Sequence, residues 1–329
     1  MLKEIYLQGK GQKWSLGNDF ENYKNFFSLY GFKISKNFIP FNKIVYLSNK
    51  YKAYKTNLHF FKNDLVFDYF HGHPEINPEF KDLFDNIKKN IRKFTRIRIS
   101  NSIIEKLFTD HGLKDKIFKI YLGVDTNKFK FDRKIRNLLR EKNKIPSNSI
   151  VIGSFQKDSN GWSGSRSPKL IKGPDIFVNS IKKIYKSFQN IFVVLCGPER
   201  EFVKNELKKL NVPFVHFYEE NYYDIVKYYS ILDFYFITAR EEGGPKALLE
   251  AMACGIPVLS TPVGQANDLI NNKNSFKTNS FDPEEISKIF LEKIKLPNLN
   301  DIKSMAEKTA KNHDFINQKN IWRDFFNFK

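Results

Sequence analysis

The sequence predicts an α/β protein of two Rossmann-like domains, each a doubly wound parallel sheet covered by helices. Three observations carry this expectation. From Asn148 onward strand-like and helix-like patterns alternate at short intervals, the rhythm of parallel strands joined by crossover helices. The first half opens the same way, with a short apolar strand, a glycine-bearing loop and an aromatic helix. The 329 residues, at roughly 100–200 per domain, suffice for two cores.

The first domain is expected at 1–140. Strand Glu4 to Leu7 runs into a loop carrying Gly9, Gly11 and Gly17, followed by an aromatic helix from Phe20 to Tyr30. Further strands are expected at Lys43 to Leu47, Leu65 to Phe70, Arg96 to Ser100 and Ile117 to Tyr121, with a helix over 79–94. The Lys/Arg/Asn-rich stretch 127–147 has no long apolar run and reads as the interdomain connection.

The second domain is expected at 145–310 and opens on the buried strand Ile150 to Phe155. After a Gly/Ser-rich loop, Gly173-Pro174 opens a helix through about Phe188, with Ile176, Phe177, Ile181 and Ile184 at helical spacing. Strand 191–195, helix 199–210, strand 214–218, helix 222–231, strand 234–237, helix 245–254 and strand 256–259 follow. Residues 311–329 end the chain as an amphipathic helix, with Phe315, Ile316, Ile321, Trp322, Phe325 and Phe326 on its apolar face.

Composition narrows the class. Hydrophobic residues at 41% and aromatics at 16%, including 33 Phe, can offset ordering entropy, so global disorder is excluded. No apolar run reaches the roughly 18–20 residues of a spanning helix, and the start has no signal-peptide pattern, so a cytoplasmic protein is expected. Only Cys196 and Cys254 occur, both in apolar segments, so no disulfide framework is expected. Of the net charge of +19, the first 150 residues carry 30 basic against 15 acidic groups, or +15, and the rest 25 against 21. That asymmetry points to an anionic partner for the first half: nucleic acid, an anionic membrane surface or an anionic substrate. The bland alternative is an AT-rich genome that enriches Lys, Asn, Ile and Phe together.

There is no P-loop, no His-Glu-x-x-His, no Gly-x-Ser-x-Gly elbow and no Asp-x-Asp pair to hold a metal under a diphosphate. Gly9-Lys10-Gly11 resembles the start of a dinucleotide fingerprint, but Trp14 takes the third glycine position. The stretch from Thr238 to Val258 reads as strand end, glycine loop, helix, glycine stop and strand. Pro245 suits the first helical position, and Gly243 and Gly244 let the backbone approach a ligand. The following helix N-terminus offers N–H groups to an anion. Glu242 before that helix and Glu250 about one and a half turns inside it can face one crevice at the carboxyl end of the sheet, one meeting a sugar and the other a ribose.

Glu242 and Glu250 have Glu-x7-Glu spacing, and Glu-Gly-Gly-Pro-Lys-Ala-Leu-Leu-Glu-Ala-Met-Ala-Cys-Gly-Ile-Pro-Val resembles the signature of retaining GT-B-fold glycosyltransferases of the group 1, or family 4, type. Gly123-Val124-Asp125-Thr126-Asn127-Lys128-Phe129 and Ser100-Asn101-Ser102 agree with that family, and the resemblance covers most of 95–270. It implies a GT-B enzyme whose first domain takes the acceptor, with Gly9, Gly11 and Trp14 in the acceptor-side loop, and whose C-terminal helix returns to that domain. Donor contacts fall to Gly243, Gly244, Pro245, Lys246, Ala247 and Glu250. Lys172 of the Lys172-Gly173 pair and Lys157, with Arg166 as its competitor, would grip the diphosphate. His71 in His71-Gly72-His73-Pro74 would face the donor sugar, and Glu242 completes the catalytic set. Lys157 stands where Arg is usual, Gln265 where a second Gly follows Gly264, and Asp268 where Glu is usual.

The resemblance implies transfer of a sugar from a nucleotide diphosphate donor, without a metal or other cofactor, to a glycan or lipid-linked acceptor. Bacterial surface polysaccharide assembly at the inner face of the plasma membrane would suit the basic first half. His71 and His73 alone do not make a metal site, since no third ligand stands at a supporting spacing. The alternatives are a GT-B epimerase acting on a nucleotide sugar and a basic nucleic-acid-binding protein with a degenerate pocket. Against the latter, the basic residues form no tight cluster interleaved with aromatics.

Overall fold

The computed structural model describes residues 3–8, 14–36, 40–48, 55–69, 72–159, 167–198 and 200–327, with side chains in the first helix described from Phe20 onward. The chain divides into two compact units, 1–122 with 315–329, and 123–314.

The first unit is a five-stranded parallel sheet, ordered β1-β2-β3-β4-β5. Its strands are β1 (Ile5–Gln8), β2 (Ile44–Leu47), β3 (Asp64–Tyr69), β4 (Arg96–Ile99) and β5 (Ile117–Lys119), and its helices α1 (Trp14–Leu29), α2 (Pro78–Lys89) and α3 (Ser102–Asp110). The reversal that makes a sheet doubly wound is a single bridge: Ile34, reached through α1, pairs in parallel with Ile5 on the edge of β1 away from β2. The chain then crosses to the other side of β1. Right-handed crossovers in opposite directions place α1 on one face and α2 and α3 on the other.

Side-chain alternation along the strands matches that layering. Val45, Leu47, Leu65, Phe67 and Tyr69 pack on Leu83, Phe84, Ile104 and Phe108 of α2 and α3. Ile44, Tyr46 and Val66 face Phe27 of α1 together with Trp322, Phe325 and Phe326. Those last three belong to the terminal helix, Lys319–Phe326, which thus completes the core of the first unit. α2 starts at Asn77, whose side chain accepts the Glu79 N–H ahead of Pro78, and α3 starts where Asn101 accepts the Ile104 N–H at 2.9 Å.

One polar network lies inside this core. Arg98 of β4 and Asp68 of β3 are 1% and 2% exposed, and Arg98 Nη1 donates to both Asp68 oxygens at 2.9 and 3.1 Å. The Tyr46 hydroxyl donates to Asp68 at 2.8 Å, Arg98 Nε donates to the Ile120 carbonyl, and the guanidinium lies 5.5 Å from the Trp322 ring centroid. Burial opposes the Arg98 charge, but Asp68 and the hydroxyls beside it hold the guanidinium firmly protonated.

The second unit begins with α4 (Arg133–Lys142). The stretch expected as a connection is therefore a helix of this unit, and the expected division near 140 falls inside it. Asp132 caps α4 through the Lys134 and Ile135 N–H groups. Arg136 and Arg140 each reach Asp233 at 2.6 Å and donate to the carbonyls of Ser230, Ile231 and Leu232. The helix is anchored by cations on a carboxylate and on the carbonyls of the turn 230–232, so a search for apolar runs does not see it.

Its sheet contains β6 (Ile150–Ser154), β7 (Ile191–Cys196), β8 (Phe214–Phe217), β9 (Phe234–Ile237), β10 (Val258–Ser260) and β11 (Phe276–Lys277), in the order β11-β10-β9-β6-β7-β8. The helices are α5 (Pro174–Ser187), α6 (Glu201–Lys209), α7 (Val226–Tyr229), α8 (Lys246–Ala253), α9 (Gly264–Leu269), α10 (Pro283–Lys293) and α11 (Leu299–Asn312), and the terminal helix of the first unit is α12. α10 packs beside α5 and α11 beside α8. Strand order reverses between β6 and β9, the place where doubly wound sheets open a crevice at their carboxyl ends. Cys196 and Cys254 are buried, and burial pushes the Cys196 thiol up to about 12. No helix among the described residues is long and apolar enough to cross a membrane.

Removing Asp68 strands a buried cation, so Asp68→Ala is expected to cost about 3–5 kcal/mol in urea unfolding, while Asp68→Leu with Arg98→Met recovers most of it. A loss under about 1 kcal/mol for the single variant would show that the network does not support the core.

Candidate functional site

The site is built where β6 and β9 end side by side. After β6 the Phe155 N–H donates to the Tyr235 hydroxyl at 3.0 Å, which starts the loop through Gln156, Lys157 and Asp158. Arg200, 1% exposed, fixes that loop from beneath: Nη1 donates to the Ser154 carbonyl at 2.7 Å, and Nε lies 3.3 Å from Asp158 Oδ2. Asp158 also accepts the Val203 N–H at the start of α6. Burial pushes the Asp158 carboxyl above its usual range, against the pull of Arg200.

Lys172 enters through a contact that only glycine permits. Gly173 is the N-cap of α5 at φ +61°, and a Cβ there would lie on the Thr238 carbonyl oxygen. The Thr238 hydroxyl donates to the Gly173 carbonyl at 2.9 Å, and the Arg240 N–H donates to the Ile171 carbonyl at 2.9 Å. Arg240 then forks onto Asp175 in the first turn of α5, with Nη1 to Oδ1 at 2.7 Å. Burial would raise the Asp175 carboxyl, but the hydrogen bonds from Arg240 and the helix N–H groups hold it below its usual range.

This clamp brings Lys172 and Glu242 together. Lys172 Nζ donates to Glu242 Oε1 at 2.6 Å, and Gln156 Nε2 donates to the same oxygen at 3.2 Å. Gln156 Oε1 in turn accepts the Thr238 N–H at 3.4 Å. Gly264, at φ +46°, closes the far wall: a Cβ there would come within 2.7 Å of the Gly243 oxygen, so the loop after β10 lies directly on the Glu242-Gly243 backbone.

Gly243 and Gly244 form the loop as expected, but Pro245 is the N-cap of α8 at ψ 108° and not its first helical residue, which is Lys246. The Pro245 carbonyl accepts the Leu248 N–H at 3.1 Å as the first bond of that helix. Lys246 Nζ lies 5.1 Å from the Tyr222 ring centroid.

Glu250 departs most from expectation. It does not stand open beside Glu242: it is 5% exposed, Oε1 accepts the Tyr222 hydroxyl, and Oε2 accepts the Tyr229 hydroxyl at 2.8 Å. Burial and the adjacent carboxylate push the Tyr229 phenol well above its usual range, so it stays a donor.

Lys157 is half-buried in the turn after β6, and Trp14, expected in the acceptor-side loop, is the first residue of α1. Gly9, Gly11, His71 and Arg166 lie outside the described residues. His73 Nδ1 is 3.9 Å from Glu75, and among the described residues no three His, Cys, Asp or Glu side chains gather as a metal set. Sequence reasoning missed Gln156, Arg200, Tyr222 and Tyr229. A polar residue directly after the first strand of the unit was a usable signal for Gln156, whereas the tyrosines reach Glu250 from more than twenty residues away and left none.

Residues 163–313 match the family model described as Glycosyl transferases group 1. No curated protein matches the sequence. Among solved structures, that of Anabaena Alr3699/HepE in complex with UDP and glucose is similar at a TM-score of 0.74 and 18% identity, covering 100% of both chains. HepE with UDP-glucose gives 0.72 and 18%, covering 99% of each. The glycosyltransferase from Rickettsia africae ESF-5 gives 0.66 and 18%, covering 97% of this chain and 83% of that one. At these identities the likeness establishes the fold: two parallel-sheet α/β units of Rossmann-like layout, as in GT-B glycosyltransferase structures.

Because the oxygens facing Gly264 are backbone atoms that cannot turn aside, Gly264→Ala is expected to cost about 3 kcal/mol, and Gly112→Ala, at φ +70° with open space around it, only about 1 kcal/mol. Equal losses for the two in urea unfolding would show that the loops are not in contact.

Proposed function

We propose that the chain is a glycosyltransferase that takes a sugar from a nucleotide diphosphate donor held on its second unit. The observation that carries this reading is Lys172 paired with Glu242 beside the N-terminus of α8. A carboxylate for sugar hydroxyls, a cation for a diphosphate and the positive end of a helix then share one small space. The group 1 match over 163–313 supports the same reading. The HepE structures hold UDP, glucose or UDP-glucose, so a uridine donor is the first to test.

In this reading Lys172 and Lys157 face the diphosphate, Glu242 the transferred sugar and Glu250 the ribose. As the bond from the anomeric carbon to the diphosphate oxygen breaks, negative charge collects on the leaving group, and fixed ammonium groups stabilise it. The acceptor oxygen bonds to the same face of that carbon, and its proton passes to the departing diphosphate, so configuration is retained. Protein cations take the place a metal would have. An epimerase would share the donor site, but it would release a changed sugar in the absence of an acceptor.

A panel of nucleotide sugars tests the reading directly, since the bound donor at 100 times its dissociation constant should add about 2.7 kcal/mol to stability. With that donor, Lys172→Ala is expected to fold normally and lose on the order of 10²–10³ in turnover, and activity is expected to survive EDTA. Turnover within about threefold of the parent would make Lys172 a surface lysine. Abolition by EDTA with rescue by manganese would overturn metal independence.

The acceptor class follows from charge. With 25 basic against 13 acidic groups in residues 1–122 and 315–329, or +12 of the +19, the first unit suits an anionic bilayer bearing a lipid-linked glycan acceptor, as in bacterial surface polysaccharide assembly. Co-sedimentation of the full chain should rise with the phosphatidylglycerol content of vesicles and fall with salt. Binding indifferent to lipid charge would assign the lysines to codon composition and the enzyme to the cytosol.

A further inference from the structure

The nucleotide-sugar reading asks Glu250 to accept ribose hydroxyls, yet both its oxygens already accept tyrosine hydroxyls. The two donors are not equivalent. Tyr229 is 1% exposed, and its ring sits among Phe129, Phe155 and Tyr235 at centroid distances of 5.9, 4.8 and 5.7 Å. It cannot leave without opening the core. Tyr222, 7% exposed, opens a one-turn 3-10 helix, Tyr222–Ile225, at the surface, with Glu220, Asn221 and Asp224 exposed around it. Its ring also carries the Lys246 ammonium 5.1 Å from its centroid. Rotation of this one side chain would release an oxygen of Glu250 and the cation at the start of α8 together.

We propose that the Tyr222 hydroxyl is an internal stand-in for a ribose hydroxyl, yielding Glu250 Oε1 to a bound nucleoside diphosphate while its ring yields Lys246 to the phosphates. The inference rests on the nucleotide-sugar reading. Phenol and ribose hydroxyls are both neutral O–H donors to the same carboxylate, so the exchange replaces like with like and never leaves the buried Glu250 oxygen without a donor. A ligand lacking ribose hydroxyls offers no replacement and leaves Tyr222 in place. Tyr222 thereby sets specificity for ribonucleotides, and Tyr229 is the positioning residue that holds Glu250 throughout the exchange.

The test is calorimetric titration of the parent, Tyr222→Phe and Tyr229→Phe with UDP, GDP and ADP and with their 2′,3′-dideoxy forms. The ribonucleotide that the parent binds should bind Tyr222→Phe about five- to tenfold tighter, because no O–H donor has to be displaced from the carboxylate. The dideoxy form should change by less than about twofold, so the preference for ribose widens, and Tyr229→Phe should show no such gain. Should Tyr222→Phe fail to fold, Tyr222→Leu, which removes ring and hydroxyl, should show the same widening. Unchanged or weaker ribonucleotide binding in a folded Tyr222 variant, or an equal gain in Tyr229→Phe, overturns the exchange alone. A parent that binds none of the three nucleoside diphosphates overturns the nucleotide-sugar reading and this inference with it.

Discussion

The site depends on the contact between Gly173 and Thr238, where two backbones touch with no room for a Cβ. Strand-order reversal brings the ends of β6 and β9 side by side, but adjacency alone would leave their loops free to splay. The Thr238 carbonyl against Gly173, the hydrogen bonds from Thr238 and Arg240 back to residues 171–173, and the Arg240–Asp175 fork join the two loops into one wall. Lys172 precedes that contact by one residue and Glu242 follows it by four, so their 2.6 Å pairing is a consequence of the backbone clamp. Gly264 repeats the device on the other side of Glu242.

Carboxylates in this protein are held in two physically different ways. Asp68 and Asp158 are structural, buried against Arg98 and Arg200, which are themselves tied to the carbonyls of Ile120 and Ser154. Such pairs resist rearrangement, because separating them leaves a naked charge in a medium of low dielectric. Glu242 is held by a lysine and an amide, and Glu250 by phenols. A ligand's own hydroxyls can replace those donors. The chemistry of each partner thus separates the acids that keep the fold from those that the proposed donor would engage.

Surface charge obeys a plainer rule. In the first unit Glu4 takes Lys33 and Lys43, Asp85 takes Lys81 and Lys88, and Glu105 takes Lys119. Exposed pairs of this kind contribute little to stability. With 25 basic against 13 acidic groups in that unit, pairing cannot consume the excess, and a basic exterior remains.

The sequence by itself determined the layer architecture, because apolar runs of strand length alternating with amphipathic helices have few other ways to bury their surface. It determined the glycine loop at 243–244 and the residues around it, since those carry local backbone requirements that survive in a linear string. Tertiary structure decided what no local pattern encodes. Ile34 makes the first sheet doubly wound through one bridge, and α4 docks on the second unit because Asp233, about a hundred residues away, collects its arginines. Glu242 and Glu250, read from spacing as two open acids on one crevice, diverge because Lys172 reaches the first and Tyr222 and Tyr229 enclose the second. Spacing along a helix sets the direction in which a side chain leaves the backbone, while its burial and its hydrogen-bond donors come from segments that only folding brings near.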